Sequence, residues 1–122
     1  MASEYHCLKA IRRPNRESQC WKLAEMIKEN VKKILAELPD GVQLVAAAKT
    51  RTPEEVLEAV QAGVKVIGEN YIQEAKRVYE VVGRKAEWHF IGTLQKHNVR
   101  AKMVEMFDMI ETIDSLEIAR EI

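Results

Sequence analysis

The sequence predicts an α/β fold in which parallel strands alternate with amphipathic helices. Four short apolar runs start about 22 residues apart, and each is followed by a segment with apolar residues at helical spacing. Regular strand–helix alternation implies parallel strands joined by right-handed crossovers. Each run is apolar almost throughout, which is typical of strands covered on both faces. The chain is therefore expected to consist of about four βα units.

One further helix is expected before the first strand, over residues 21–38. Its apolar residues recur at helical spacing, lysines and glutamates occupy the other face, and a Pro-Asp-Gly turn ends it. The preceding residues lack the apolar stretch of a secretory signal, and we expect them to be flexible. The predicted organisation is a leader over residues 1–20 and one domain over residues 21–122.

The four strands are expected at residues 42–48, 64–68, 87–92 and 109–113. The spacing of Thr52 and Glu55 is that of a capping box, and that of Asp114 and Glu117 is the same. Asn70 is a third candidate helix cap, and another helix is expected over residues 98–106. Four such units form either a small open sheet or half of an eight-stranded barrel, and the pattern alone does not separate these two architectures.

Composition excludes several classes of function. Basic and acidic residues are balanced at 19 each, so no charge excess favours nucleic acid or an acidic membrane. No apolar run approaches the ~20 residues that span a bilayer. Two cysteines without a metal-binding spacing indicate free thiols and a cytoplasmic protein. Motifs for phosphate loops, dinucleotides, serine nucleophiles and zinc are absent.

Candidate ligand-binding residues are those at the carboxyl ends of the strands, where both architectures place their sites. The strand ends carry Lys49, Glu69-Asn70, Gly92-Thr93 and Asp114-Ser115. Partial desolvation of Lys49 would make its amine nucleophilic, although a solvated lysine is the commoner outcome at such a position. Asn70 could serve as a helix cap, as a planar amide ligand, or as both, and capping is the commoner role. His89, inside a strand, is expected to be a core residue.

Four segments resemble the successive signatures of the pyridoxal phosphate homeostasis proteins. They are LVAAAKTRTPEEVLEAVQAG, IGENYIQEA, WHFIGTLQ and MIETIDSLEIA, in the order and spacing of that family. The resemblance implies a TIM-type (β/α)₈ barrel like the N-terminal domain of alanine racemase (a fold type III barrel), here only partial. It implies pyridoxal 5′-phosphate as the cofactor, held as a Schiff base on Lys49. It places Asn70 beside the cofactor and Ile91 in the apolar wall of the pocket.

The function that the resemblance implies is pyridoxal phosphate binding in cellular vitamin B6 balance, without established turnover. Two alternatives stay open: an amino-acid racemase-like enzyme, and a truncated fragment without function. The sequence departs from the family at Ala48 and Thr93, and members are roughly twice as long, with their phosphate-binding loops in the other half. A partial barrel would leave strand edges unpaired, which predicts self-association.

Overall fold

All strands of the computed structural model are parallel and form one sheet in the order β1-β2-β3-β4-β5. The structure describes residues 6–7, 20–95 and 105–122. The elements are β1 (His6–Cys7), α1 (Cys20–Glu37), β2 (Leu44–Ala47), α2 (Pro53–Gln61), β3 (Val66–Glu69), α3 (Ile72–Val82), a 3₁₀ turn (Gly83–Lys85), β4 (Glu87–Phe90), β5 (Met109–Ile110) and α4 (Leu116–Glu121). The predicted parallel α/β architecture is confirmed.

Two predictions fall largely outside the described residues. Between residues 1 and 19 the structure describes only β1, so the flexibility of the leader stays a prediction. Of the helix expected over residues 98–106, only residues 105–106 are described, and both are helical.

The register of the strands determines which residues share a face of the sheet. Ile67 and Trp88 are aligned on β3 and β4, and both lie in the core cluster that contains Val78 of α3. Their face therefore packs against the helices. Because successive strand residues point to opposite faces, the aligned residues Ala47, Gly68 and His89 lie on the other face, which we call the inward face.

Two apolar cores lie between the sheet and its helices. The smaller core joins α1 to the start of β2 through Val31, Leu44 and Val64. The larger core lies among α2, α3, α4 and the middle strands. Trp88 is fully buried in it, and its indole N–H donates to the Gly83 carbonyl at 2.9 Å. Burial of this apolar surface is the main stabilising contribution to such a fold.

Asp108 ties β5 to β4. Its carboxylate accepts from the backbone N–H of Trp88 at 2.8 Å and from the Arg84 guanidinium at 2.9 Å. Arg84 also donates to the Glu105 carbonyl at 2.9 Å. These bonds position the segment that leads into β5.

The capping box predicted for α2 is confirmed. The Thr52 hydroxyl accepts from the Glu55 N–H at 3.2 Å, and the Glu55 carboxylate accepts from the Thr52 N–H at 2.9 Å. Both bonds satisfy N–H groups that have no partner within the helix.

The other two predicted caps are wrong by one residue. Helix α3 has Tyr71, not Asn70, as its N-cap, and Tyr71 makes no side-chain capping bond. Asn70 still follows the extended course of β3, so its side chain lies too early to reach the first helical N–H groups. In α4 the cap is Ser115 rather than Asp114, and its hydroxyl accepts from the Ile118 N–H at 3.2 Å.

Replacing Thr52 with alanine should lower the free energy of unfolding by about 0.5–2 kcal/mol, because the first turn of α2 loses its cap. Urea unfolding followed by circular dichroism measures this change. Thr52→Ser is the matched control, since it keeps the hydroxyl that accepts from Glu55. An equal loss in the serine variant would show that the cap is not the cause.

Candidate functional site

The three predicted site residues continue the inward face at the carboxyl ends of neighbouring strands. Lys49, Asn70 and Ile91 each lie two positions beyond the aligned inward residues of β2, β3 and β4. The ladder extends to this point, since Ala48 donates to the Gly68 carbonyl and Ile91 to the Glu69 carbonyl, both at 2.9 Å. The sheet therefore brings the three residues to one edge.

Lys49 lies at the point where the chain leaves β2. Thr50 has a φ of 65°, which is rare for a β-branched residue, and Arg51 donates to the Ala48 carbonyl at 3.0 Å. Such a strained turn is typical of functional sites. The side chain of Lys49 is exposed, which is the commoner of the two outcomes that the sequence left open for a lysine at this position. Its amine is accessible to a ligand in solution.

Asn70 combines a fixed backbone with an unused acceptor. A Cβ on Gly92 would lie 2.8 Å from the Asn70 carbonyl carbon and 2.9 Å from its Cα, so the two backbones are in direct contact. The Gly92 carbonyl in turn accepts a hydrogen bond from the Thr112 hydroxyl. The side-chain oxygen of Asn70 is buried and has no hydrogen-bond partner among the described residues. A buried acceptor of this kind is costly unless a donor reaches it.

Ile91 forms an apolar surface on the inward face. A Cβ on Gly68 would lie 2.8 Å from the Ile91 Cδ1 and 3.0 Å from the Val45 Cγ1. The missing side chain of Gly68 thus leaves the space that Ile91 and Val45 occupy. This contact is consistent with the pocket wall that the sequence suggested for Ile91.

Glu69 is the residue whose environment sequence reasoning missed. It is aligned with Phe90, so it faces the helices, and it is fully buried. Both carboxylate oxygens lack a hydrogen-bond partner among the described residues. Burial, and secondarily the charge of Glu74, raises the pKa of Glu69 to about 7. The only signal in the sequence was a carboxylate at the end of an apolar strand.

His89 is buried, as predicted, on the inward face. Its Nδ1 lies 2.6 Å from the Glu111 carboxylate, and its Nε2 lies 3.7 Å from that of Glu87. The sequence did not indicate Glu111 as its partner. These contacts agree with a structural role for His89 inside the sheet.

The opposite end of the strands carries a shallow depression of about 380 Å³, lined by Lys65, Arg84, Lys85, Ala86, Glu87 and Asp108. Arg84 and Asp108 are already paired there, and this end of a βα sheet usually serves stability rather than binding. Within residues 26–95 and 105–122, no three histidine, cysteine or acidic side chains are placed to hold a metal ion. No helix in the described part of the chain could cross a membrane.

Polar and glycine residues gathered at the carboxyl ends of parallel strands are typical of the class of α/β proteins that bind ligands there. Solved structures narrow that class. PipY of Synechococcus elongatus, with pyridoxal phosphate bound, matches with a TM-score of 0.73 and 35% identity over 78% of this chain and 45% of that chain. A protein of unknown function from Bifidobacterium adolescentis matches with a TM-score of 0.74 and 30% identity over 87% and 51%. The fold is part of a (β/α) barrel, as predicted.

Sequence comparison leads to the same group of proteins. The chain is 40% identical over 89 residues to the pyridoxal phosphate homeostasis protein of Vibrio alginolyticus, covering 69% of this chain and 38% of the relative. It is 37% identical over 108 residues to that of Vibrio cholerae, covering 76% and 45%. The chain thus spans less than half of these relatives. No family model matches it. The chain is homologous to part of the pyridoxal phosphate homeostasis proteins, which confirms the resemblance found in its motifs.

Proposed function

We propose that this chain binds pyridoxal phosphate on Lys49 as a Schiff base and serves pyridoxal phosphate homeostasis in the cytoplasm. The observation that carries the proposal is the position of Lys49. An accessible lysine amine lies at the same sheet edge as the unpartnered oxygen of Asn70. A relative of similar fold, PipY, has a structure with pyridoxal phosphate bound.

The residues at this edge fit the cofactor chemically. Pyridoxal phosphate supplies an aldehyde, which condenses with a primary amine and releases water. Lys49 provides that amine, the Asn70 oxygen can accept a hydrogen bond from a donor on the ligand, and Ile91 provides an apolar surface for a ring. Specific binding needs all three groups, because an exposed lysine alone reacts with any aldehyde.

The phosphate group needs contacts from elsewhere. In such barrels it usually binds after strands seven and eight, at a helix N-terminus. The described units do not include those strands. We therefore expect the 122-residue chain to bind the cofactor more weakly than a complete barrel does. No contact among the described residues favours the racemase-like or non-functional alternatives over binding.

Addition of pyridoxal phosphate should produce a new visible absorbance band that the free cofactor lacks, and borohydride should reduce the Schiff base so that the cofactor stays attached to Lys49. Lys49→Ala should abolish the band. Lys65→Ala is the matched control, because Lys65 is exposed but precedes β3 at the opposite end of the sheet. Asn70→Ala should weaken binding by about tenfold, through the loss of one buried hydrogen bond to the ligand. Spectrophotometric titration and peptide mass spectrometry measure both effects.

The control separates specific binding from random labelling. Equal trapping on Lys65 and Lys49 would mean that exposed lysines react indiscriminately, and the proposal would fail. A folded protein that gives no band at millimolar cofactor would also contradict it.

A further inference from the structure

Strand β1 lies outside the repeating βα pattern. The repeat begins at β2, which is followed by α2, β3 and α3. Strand β1 precedes α1 and nevertheless pairs in parallel with β2, with His6 aligned to Leu44 and Cys7 to Val45. It occupies the edge of β2 opposite β3.

That edge has a particular meaning in a barrel. Eight parallel strands close into a barrel when the first strand of the repeat pairs with the last. Strand β2 is the first strand of the repeat in this chain. Its outer edge is therefore where a closing strand pairs. We infer that β1 is an edge-covering strand, which occupies the closing position and keeps this edge from pairing with another strand until β1 leaves.

Such a cover has a physical purpose. The outer edge of a sheet presents backbone N–H and C=O groups that readily pair with another chain. A strand of two residues covers these groups with few hydrogen bonds. A longer parallel strand would make more bonds along β2 and could displace it.

The geometry of β2 identifies a backbone N–H group whose hydrogen exchange depends on the presence of β1. Ala48 donates to Gly68 of β3. Because successive N–H groups of a strand point to opposite edges, the N–H of Val45 points to the β1 side. Val45 is aligned with Cys7, so in a parallel ladder it pairs with the residues that flank Cys7. The N–H and C=O of His6 therefore point to β2, and the N–H of Cys7 points away from it. The N–H of Ala46 points to β3 and provides an internal control within the same strand.

The test is amide hydrogen exchange, measured by NMR on the 122-residue chain. In His6→Pro/Cys7→Pro, β1 loses the His6 N–H that points to β2, and the proline rings prevent close pairing. The N–H of Val45 should therefore exchange roughly tenfold faster while that of Ala46 stays protected. The matched variant His6→Ser/Cys7→Ser changes both side chains but keeps both N–H groups. It should exchange as the wild type does. Protection of Ala46 verifies that each variant is folded, and His6→Pro alone replaces the double variant if the latter does not fold.

Sedimentation velocity tests the second part of the inference. With the edge uncovered, the proline variant should self-associate at concentrations where the wild type and the serine variant do not. Unchanged exchange of Val45 in the folded proline variant would refute the pairing. Faster exchange without increased association would refute the covering role.

Discussion

Replacing Glu69 with glutamine should stabilise the protein more at high pH than at low pH. The free energy of unfolding of Glu69→Gln minus that of the wild type should increase by about 3 kcal/mol between pH 4.5 and pH 8. The wild-type side chain is fully buried, and both of its oxygens lack a hydrogen-bond partner among the described residues. Ionisation there is costly because a buried carboxylate loses its hydration. Glutamine has nearly the same shape and no charge to bury.

The sign follows from the two states of the chain. In the unfolded state Glu69 has its ordinary pKa of 4.5, whereas burial raises the pKa in the folded state to about 7. Between these values the folded state holds a proton that the unfolded state has lost. The contribution of Glu69 to stability is thus fully present below pH 4.5, declines as the pH rises, and is lost above about pH 7.

Other carboxylates make the stability of each protein depend on pH, so the difference between the variants is the useful quantity. Urea unfolding of the wild type and Glu69→Gln at several pH values gives that difference directly. Glu80→Gln is the matched control, because Glu80 lies on α3 but is exposed. Its difference from the wild type shows how much of the pH dependence comes from removing an exposed charge on α3, and the change for Glu69→Gln should be clearly larger. If the difference in free energy of unfolding between Glu69→Gln and the wild type does not change with pH, then burial does not raise the pKa of Glu69 in the folded state.

Much of the fold could be predicted because its signals are local. Apolar runs and their regular spacing locate the strands, and Thr52 and Glu55 locate the start of α2 through a short-range hydrogen-bond pattern. Lys49 and Asn70 became candidates through the rule that strand ends carry the ligand-binding residues, whereas Ile91 was implied only by the resemblance to the family. The positions of Lys49, Asn70 and Ile91 at one edge depend only on strand register and alternation.

The features that sequence reasoning missed depend on contacts between distant segments. The burial of Glu69 results from packing of β3 against the helices, and composition gives no sign of it. The partner of His89 is 22 residues away at Glu111. The cap of α4 fell on Ser115 rather than Asp114 because both residue types cap well, and only the backbone course selects between them.

Gly92→Ala should lower the free energy of unfolding by about 1–3 kcal/mol, because a methyl group there overlaps the backbone of Asn70. Backbone atoms at the end of a strand cannot move aside as a side chain can. The variant should therefore also displace Asn70, and with it the side-chain oxygen that we assign to the ligand. We expect pyridoxal phosphate to bind more weakly than the loss of stability alone explains.

Gly68→Ala provides the comparison, since the same added methyl group would meet the side-chain ends of Ile91 and Val45. These ends can rotate, so the loss of stability should be smaller than at Gly92. Urea unfolding compares the two variants, and titration with pyridoxal phosphate compares their binding under conditions where both are folded. Equal losses of stability would mean that the Asn70 backbone yields as easily as a side chain. The contact between Gly92 and Asn70 would then not be what fixes the ligand-binding amide.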